Sequence, residues 1–194
     1  MNNGFFAMIS RMKYIDRWAL MRNEQRENLT EHSFEVAVIS HALAEIGNKR
    51  FEKSINAERA ALLGLFHDAP ETLTGDMPTP VKYYNDEVRN AYKTVEAEAA
   101  QSLVNMLPED FRGIYAPLLI PNDTDVELHR IVKAADKISA LIKCLEEKKA
   151  GNGEFNSAYD GTLESIMAMD IPEARVFIDE FLPAYSMTLD ELRN

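Results

Sequence analysis

The sequence predicts an all-α fold. Apolar residues recur at steps of three and four along nearly the whole chain, and no run of alternating β-branched residues bounded by turns reads as a strand. Stop signals such as Gly47-Asn48 and Gly151 separate the periodic segments.

A first helix covers about residues 4 to 15, followed by the charged connection MRNEQREN. The second begins near Thr30, whose hydroxyl suits an N-cap, and runs to about Ile46, where Gly47-Asn48 stops it. The third starts after the cap Asn56 and carries AERAALLGLFHD. Residues 72 to 82, TLTGDMPTPVK, hold two prolines and a glycine and predict an ordered loop rather than a helix. A fourth helix, about 86 to 107, places Val88, Ala91, Tyr92, Val95, Ala99 and Leu103 on one stripe. A short helix near 108 to 115 and the PLLIPNDTD connection lead to a long helix from about Val126 to Ala150. Its apolar positions are Leu128, Ile131, Val132, Ala135, Ile138, Ile142 and Leu145, and Gly151 stops it. Two more helices, near 155 to 169 and 172 to 183, come last, and TLDE at 188 to 191 fits a capping box with little chain left to follow it.

With 194 residues and 46 % hydrophobic content, the chain suits one sizeable core, and a single domain over 1 to 194 is expected. Its net charge of -11 opposes adhesion to nucleic acid polymers and anionic membranes, although a small anion can bind where a metal or an arginine reverses the local sign. Cys144 is the only cysteine, so no intramolecular disulfide forms. The N-terminal run lacks the order of a signal peptide and no window approaches a membrane span, so a cytoplasmic location is expected.

The chemistry gathers in LFHDAPETLTGDMPTP, residues 65 to 80. Ala60, Leu63, Gly64 and His67 lie at steps of three or four, which aims the imidazole where this helix meets its neighbours, and Gly64 permits close approach. Pro70 disfavours helical geometry at Ala69, so the helix ends or kinks at His67-Asp68, and a distorted end lets two adjacent side chains aim at one point. His32 precedes Val36, Ile39, Leu43 and Ile46 on one stripe. Asp136 lies within the most apolar helix, and a buried carboxylate there needs a cation, either Lys133 one turn earlier or a metal. Two inward histidines and two inward aspartates on three helices form the nitrogen and oxygen set that holds a divalent ion. Glu71, one turn after the His-Asp pair, is placed to orient or deprotonate a water, and Asp76 follows it in the ordered loop. His41 and His129 read as ordinary surface or boundary residues.

EHS at 31 to 33, HD at 67 to 68 and the aspartate of KAAD at 136 resemble the H…HD…D signature of HD-domain metal-dependent phosphohydrolases. RWALMRN at 17 to 23 and LTGDMPTPVKY at 73 to 83 resemble more narrowly the bacterial HD-domain 5'-deoxynucleotidases, which remove phosphate from deoxyribonucleoside 5'-monophosphates. The likeness runs from about residue 5 to 190 and includes KCLEE at 143 to 147. It implies a helical HD core, a homodimer and His32, His67, Asp68 and Asp136 as ligands of one divalent ion (manganese, cobalt, zinc, iron or magnesium). It also implies Arg17 on the phosphate, Trp18 on the sugar or base, Asp76 with Thr79, Pro80, Val81 and Lys82 lining the nucleotide site, and Glu71 beside the attacking water. Pro70 departs from the family, where a small polar residue is usual. The alternatives are another HD phosphohydrolase, acting on a nucleoside triphosphate, a cyclic nucleotide or a guanosine alarmone, and a non-catalytic nucleotide sensor.

Overall fold

A computed structural model describes residues 3–193. Among the described residues the regular structure is helical, and the one extended pairing is an isolated antiparallel bridge between Asp16 and Asn28. In chain order the helices are α1 (Phe5–Ile9), α2 (Leu29–Arg50), α3 (Ala57–Phe66), the one-turn α4 (Glu71–Thr74) and α5 (Thr79–Lys82), α6 (Asp86–Asn105) and α7 (Glu109–Leu119). They continue with α8 (Val126–Lys149), α9 (Asn156–Ala168), α10 (Pro172–Glu180) and α11 (Leu189–Leu192), and short 3-10 turns follow α1 and precede α9 and α11. The all-α expectation holds.

Several boundaries differ from the sequence expectation for identifiable reasons. The first helix changes to a 3-10 turn at Ser10, whose hydroxyl donates to Phe6 O at 2.9 Å. The cap of α2 is Asn28 rather than Thr30. The Asn28 side chain accepts from the N–H groups of Thr30 and Glu31, while Glu31 accepts from Asn28 N at 3.0 Å, the reciprocal arrangement of a capping box. Gly47-Asn48 does not stop this helix, which runs on to Arg50. A Cβ at Gly47 would lie 2.9 Å from both Glu173 Oε1 and Ile55 Cδ1, so the glycine serves close approach. Asn48 brackets the backbone of Ile55 through both ends of its amide.

The segment 72 to 82 is not all loop, because prolines can open helices as well as interrupt them. Pro70 caps α4 with φ −58°, and Pro80 lies in the first turn of α5, where a missing N–H forfeits no helical bond. Gly75, at φ +74°, separates the two turns. Helix α7 extends past residue 115 to Leu119 and accommodates Pro117 within it. On α6 the buried stripe is Tyr92, Ala99, Ala100, Leu103 and Val104, whereas Val95 is 46 % exposed. The caps at Asn56 and Thr188 and the stop at Gly151, φ +84°, are as expected.

The chain divides into two compact units, each built from three chain segments. The first comprises the described residues up to Met21, Arg26–Phe34 and Leu65–Val126. Its interior stacks Tyr115 against Phe5 at 5.1 Å and Phe66 at 6.1 Å, and α6 packs on α7, α4 and α5. The second comprises Arg22–Gln25, Glu35–Gly64 and the described residues from Glu127. Ile39, Leu43, Leu63, Ile138, Leu141, Ile142, Phe155 and Ile166 are its largest fully buried side chains. There Gly64 meets α2 so closely that a Cβ would stand 3.0 Å from Ala37 Cα, the approach its position on the apolar face predicts. None of the described helices is long and apolar enough to cross a membrane.

Candidate active site

The first unit assembles its site from three pieces of chain: the two arms of a loop, residues 15–21 and 26–28, the first turn of α2, and the turn that ends α3. The loop is pinned at its base by Arg17 N donating to Glu27 O at 2.9 Å and Leu29 N donating to Ile15 O at 3.0 Å. This brings Arg17, Trp18 and Glu27 beside His32, which is fully buried in the first turn of α2. The α-helical part of α3 ends at Phe66, and His67 to Pro70 form a turn, as the proline requires.

The distorted helix end aims both side chains inward. Asp68 Oδ2 lies 3.2 Å from His67 Nε2 and 3.5 Å from His32 Nε2. The two imidazole rings are 5.2 Å apart, and one donor atom from each of His32, His67 and Asp68 lies within 4.8 Å of the others. Arg17 Nη1 donates to Asp68 Oδ2 at 3.3 Å. Burial alone would raise the Asp68 carboxyl, but His67, His32 and Arg17 outweigh it and hold the group far below the ordinary aspartate range.

Glu71, in the first turn of α4, has the opposite balance. Burial, reinforced by the charges of Asp68 and Asp76, pushes its pKa up to about 9, and Lys82 and Arg17 offset only part of this. Its Oε2 is buried with no hydrogen-bond partner. Asp76 is raised as well, chiefly by burial, with Arg17 opposing and Asp68 adding. Tyr92 lies within 3.4 Å of both Thr74 Oγ1 and Gly75 O, fastening this loop to α6.

Lys82 Nζ donates to Glu96 Oε1 at 2.7 Å and sits 4.8 Å from the Tyr92 ring centre, so part of its role is to hold α5 on α6. Thr79, Pro80 and Val81 occupy the exposed side of that turn. Asp136 belongs to the second unit, half-buried on α8 beside the buried Ala134 and Ala135, while Lys133 is exposed. His41 is exposed and His129 half-buried, as expected of surface or boundary residues.

Glu27 was not singled out by its sequence pattern. Its Oε2 accepts from Trp18 Nε1 at 2.9 Å and lies 3.4 Å from Arg17 Nε, while its Oε1 lies 3.6 Å from His32 Nδ1. Burial opposes ionisation, but the contact with His32 and the charge of Arg17 win and lower its pKa. A carboxylate behind an imidazole sets which ring nitrogen faces the site and fixes the ring's orientation. Inside MRNEQREN it is one acid in a charged run, and only its position next to the Asn28 cap hints at a role.

Two imidazole nitrogens and an aspartate oxygen, converging from the first turn of α2 and the turn that ends α3, are a donor set for a divalent cation. The partnerless Glu71 oxygen agrees with this fit, since a buried carboxylate without donors is costly until positive charge or water reaches it.

The family model of the YfbR-like 5'-deoxynucleotidases matches residues 4–185. A 5'-deoxynucleotidase of Vibrio atlanticus is 48 % identical over 188 residues, covering 97 % of this chain and 97 % of its own. The crystal structure of an HD-domain phosphohydrolase from Listeria innocua superposes with a TM-score of 0.81 at 24 % identity, covering 98 % of this chain and 92 % of its own. The HD phosphohydrolase DatZ of cyanophage S-2L, solved bound to dA and one catalytic Zn2+ ion, gives a TM-score of 0.66 at 18 % identity over 91 % of this chain and 95 % of its own. At those identities the two structures speak for the fold, whereas the Vibrio relative and the family model extend over nearly the whole chain. The chain belongs to the YfbR-like 5'-deoxynucleotidase family.

Proposed function

We propose that this protein hydrolyses deoxyribonucleoside 5'-monophosphates to deoxyribonucleoside and orthophosphate, using one divalent metal ion held by His32, His67, Asp68 and Asp136. The observation that carries the reading is the convergence of the His32, His67 and Asp68 donor atoms with Arg17 3.3 Å from Asp68. Near-half identity to a 5'-deoxynucleotidase over almost the whole chain supports the substrate class. When bound, the ion lowers the pKa of a coordinated water and offsets phosphate charge.

The remaining work falls to the chain's own side chains. Arg17 offers a fork of donors to two phosphoryl oxygens, and Trp18 packs on the nucleoside. Glu71, buried with one oxygen lacking a partner, takes the proton of the attacking water, in its ionised form, as the oxygen–phosphorus bond forms. Asp76 carries a proton more readily than an ordinary aspartate and gives it to the 5' oxygen as the phosphorus–oxygen bond breaks. Thr79, Pro80, Val81 and Lys82 line the nucleotide's path. Glu27 keeps His32, Arg17 and Trp18 in register with one another.

The single HD domain, the homodimer and the cytoplasmic location belong to the same proposal. Helices α2 and α3 each run from one compact unit into the other, and this supports folding as one piece. A single cooperative unfolding transition, a dimer mass by light scattering and recovery in the cytosolic fraction are the expected results.

The deciding experiment measures orthophosphate release from deoxy- and ribonucleoside 5'-monophosphates by chelated protein, with manganese, cobalt, zinc, iron and magnesium restored in turn. Metal-dependent release confined to the deoxyribonucleotides is expected. Release of pyrophosphate or triphosphate from other nucleotides instead would overturn the assignment, as would tight nucleotide binding without turnover.

A further inference from the structure

Residues 22 to 25 are the tip of the loop that carries Arg17, Trp18 and Glu27, and they belong to the second unit. Arg22, Glu24 and Gln25 are exposed, yet their backbone is held by a set of polar side chains. Arg22 N donates to Glu154 Oε1 at 3.0 Å, and Arg22 O accepts from Asn152 Nδ2 at 2.7 Å. Glu24 N and Gln25 N donate to the two oxygens of Glu147, at 3.0 and 3.2 Å, and Gln25 O accepts from Lys143 Nζ. Glu147 also accepts from Lys143 and, at 2.8 Å, from Asn152.

Glu147, Lys143 and Asn152 are 1 %, 4 % and 2 % exposed. Burying a carboxylate, an ammonium and an amide together is worthwhile to a fold only where each finds its partners, and here those partners include the main chain of the loop tip. Every group hydrogen-bonded to Glu147 is a donor. Burial alone would raise its pKa, but Lys143, Glu24 N–H, Asn152 and Gln25 N–H outweigh it and bring the group down to about 2.

The tip is joined to the site residues by very little chain. Trp18 O accepts from Met21 N at 2.9 Å, and Arg22 is the next residue. Trp18 itself has φ +59°, a left-handed conformation that a bulky residue keeps only when its surroundings impose it. On the other side of the tip, Arg26 leads directly to Glu27, which accepts from the Trp18 indole.

We infer that Glu147, assisted by Lys143 and Asn152, is a positioning residue for the reaction: by gripping the backbone of residues 22 to 25 it holds Arg17, Trp18 and Glu27 in their working conformation without touching substrate. The kinetic part rests on the proposed roles of Arg17 and Trp18, while the grip on the loop stands independently of them.

Glu147→Gln tests this with little change of shape, since it sets an amide N–H2 against neighbours that are all donors. Trp18 is the only tryptophan in the sequence and reports on the loop by its fluorescence. Expected are a roughly threefold rise in the acrylamide quenching constant of Trp18, about tenfold faster tryptic cleavage after Arg22 and Arg26, and a KM for deoxyribonucleoside monophosphates about tenfold higher with kcat within about threefold. Glu173→Gln, at a fully buried carboxylate paired with Lys53 at 2.6 Å in the same unit, serves as a stability control expected to leave quenching and KM unchanged. Should Glu147→Gln fail to fold, Asn152→Ala removes the contacts to Arg22 O and Glu147 and is expected to shift the same readouts in the same direction. Unchanged quenching and cleavage in a folded variant, or equal changes in the Glu173→Gln control, overturn the inference. Raised quenching and cleavage with an unaltered KM uphold the grip on the loop but remove the substrate roles of Arg17 and Trp18.

Discussion

Glu71 and Glu147 are buried almost equally, at 6 % and 1 % exposed, yet their surroundings treat a negative charge in opposite ways. Around Glu147 an ammonium, a side-chain amide and two backbone N–H groups all donate, and its pKa falls to about 2. Around Glu71 burial is joined by Asp68 and Asp76, one oxygen has no partner, and its pKa climbs to about 9. The first carboxylate is completed by the fold and serves as an anchor. The second is left wanting positive charge, which fits a group that must exchange a proton with a water and stand near a cation.

The contrast is tested most severely by neutralising Glu71. Glu71→Gln is expected to lower phosphate release by about 10³-fold, the scale of a lost general base, while making the chelated protein more stable. An acid whose folded pKa is raised from 4.5 to about 9 binds more protons folded than unfolded, so its contribution is intact below pH 4.5 and declines as the pH rises toward 9. The variant's advantage in thermal unfolding should therefore grow from pH 5 to pH 9. Equal stability of the two proteins across that range would show that Glu71 is not frustrated.

Glu27→Gln probes the outer layer of the same region. Weakening the carboxylate behind His32 should reduce divalent-metal affinity by about 10- to 100-fold, read by calorimetric titration of the apoprotein. An unchanged affinity would restrict Glu27 to the loop.

At the satisfied carboxylate the pH dependence has the other sign. The folded pKa of Glu147 lies below its unfolded value, so its stabilisation is present above pH 4.5 and is lost as the pH falls toward 2. Glu147→Gln should cost about 2 kcal/mol at pH 7, with the difference from the parent shrinking across that acid window. A constant difference down to pH 2 would mean that packing rather than charge matters there. The smallest effect is expected at Asn28→Ala, which removes the α2 cap and should cost about 1 kcal/mol with little pH dependence, a baseline for both carboxylates.

Much of this was legible in the amino-acid order because it is local. Pro70 ends α3 at His67-Asp68 by sterics with its immediate neighbours, and Gly151 and Asn56 act within a turn. The misses are residues whose signal depends on distant partners. Gly47 resembles a helix stop, but its lack of a side chain answers Glu173 and Ile55. Val95 fits the periodic stripe of α6, but it is 46 % exposed. Glu27 and Glu147 look like solvated charges in polar segments, since nothing in their flanking residues reveals the donors that meet them.

The sequence by itself determined the helical class, most helix termini and the donor types of the candidate metal-binding group, because periodicity, caps and prolines act within a few residues of chain. The tertiary structure decided which carboxylates are satisfied and which are not. That property depends on donors, burial and like charges brought together from segments as far apart as residues 24 and 147 or 17 and 68, and an ionisable group acquires its working pKa only in that assembled environment.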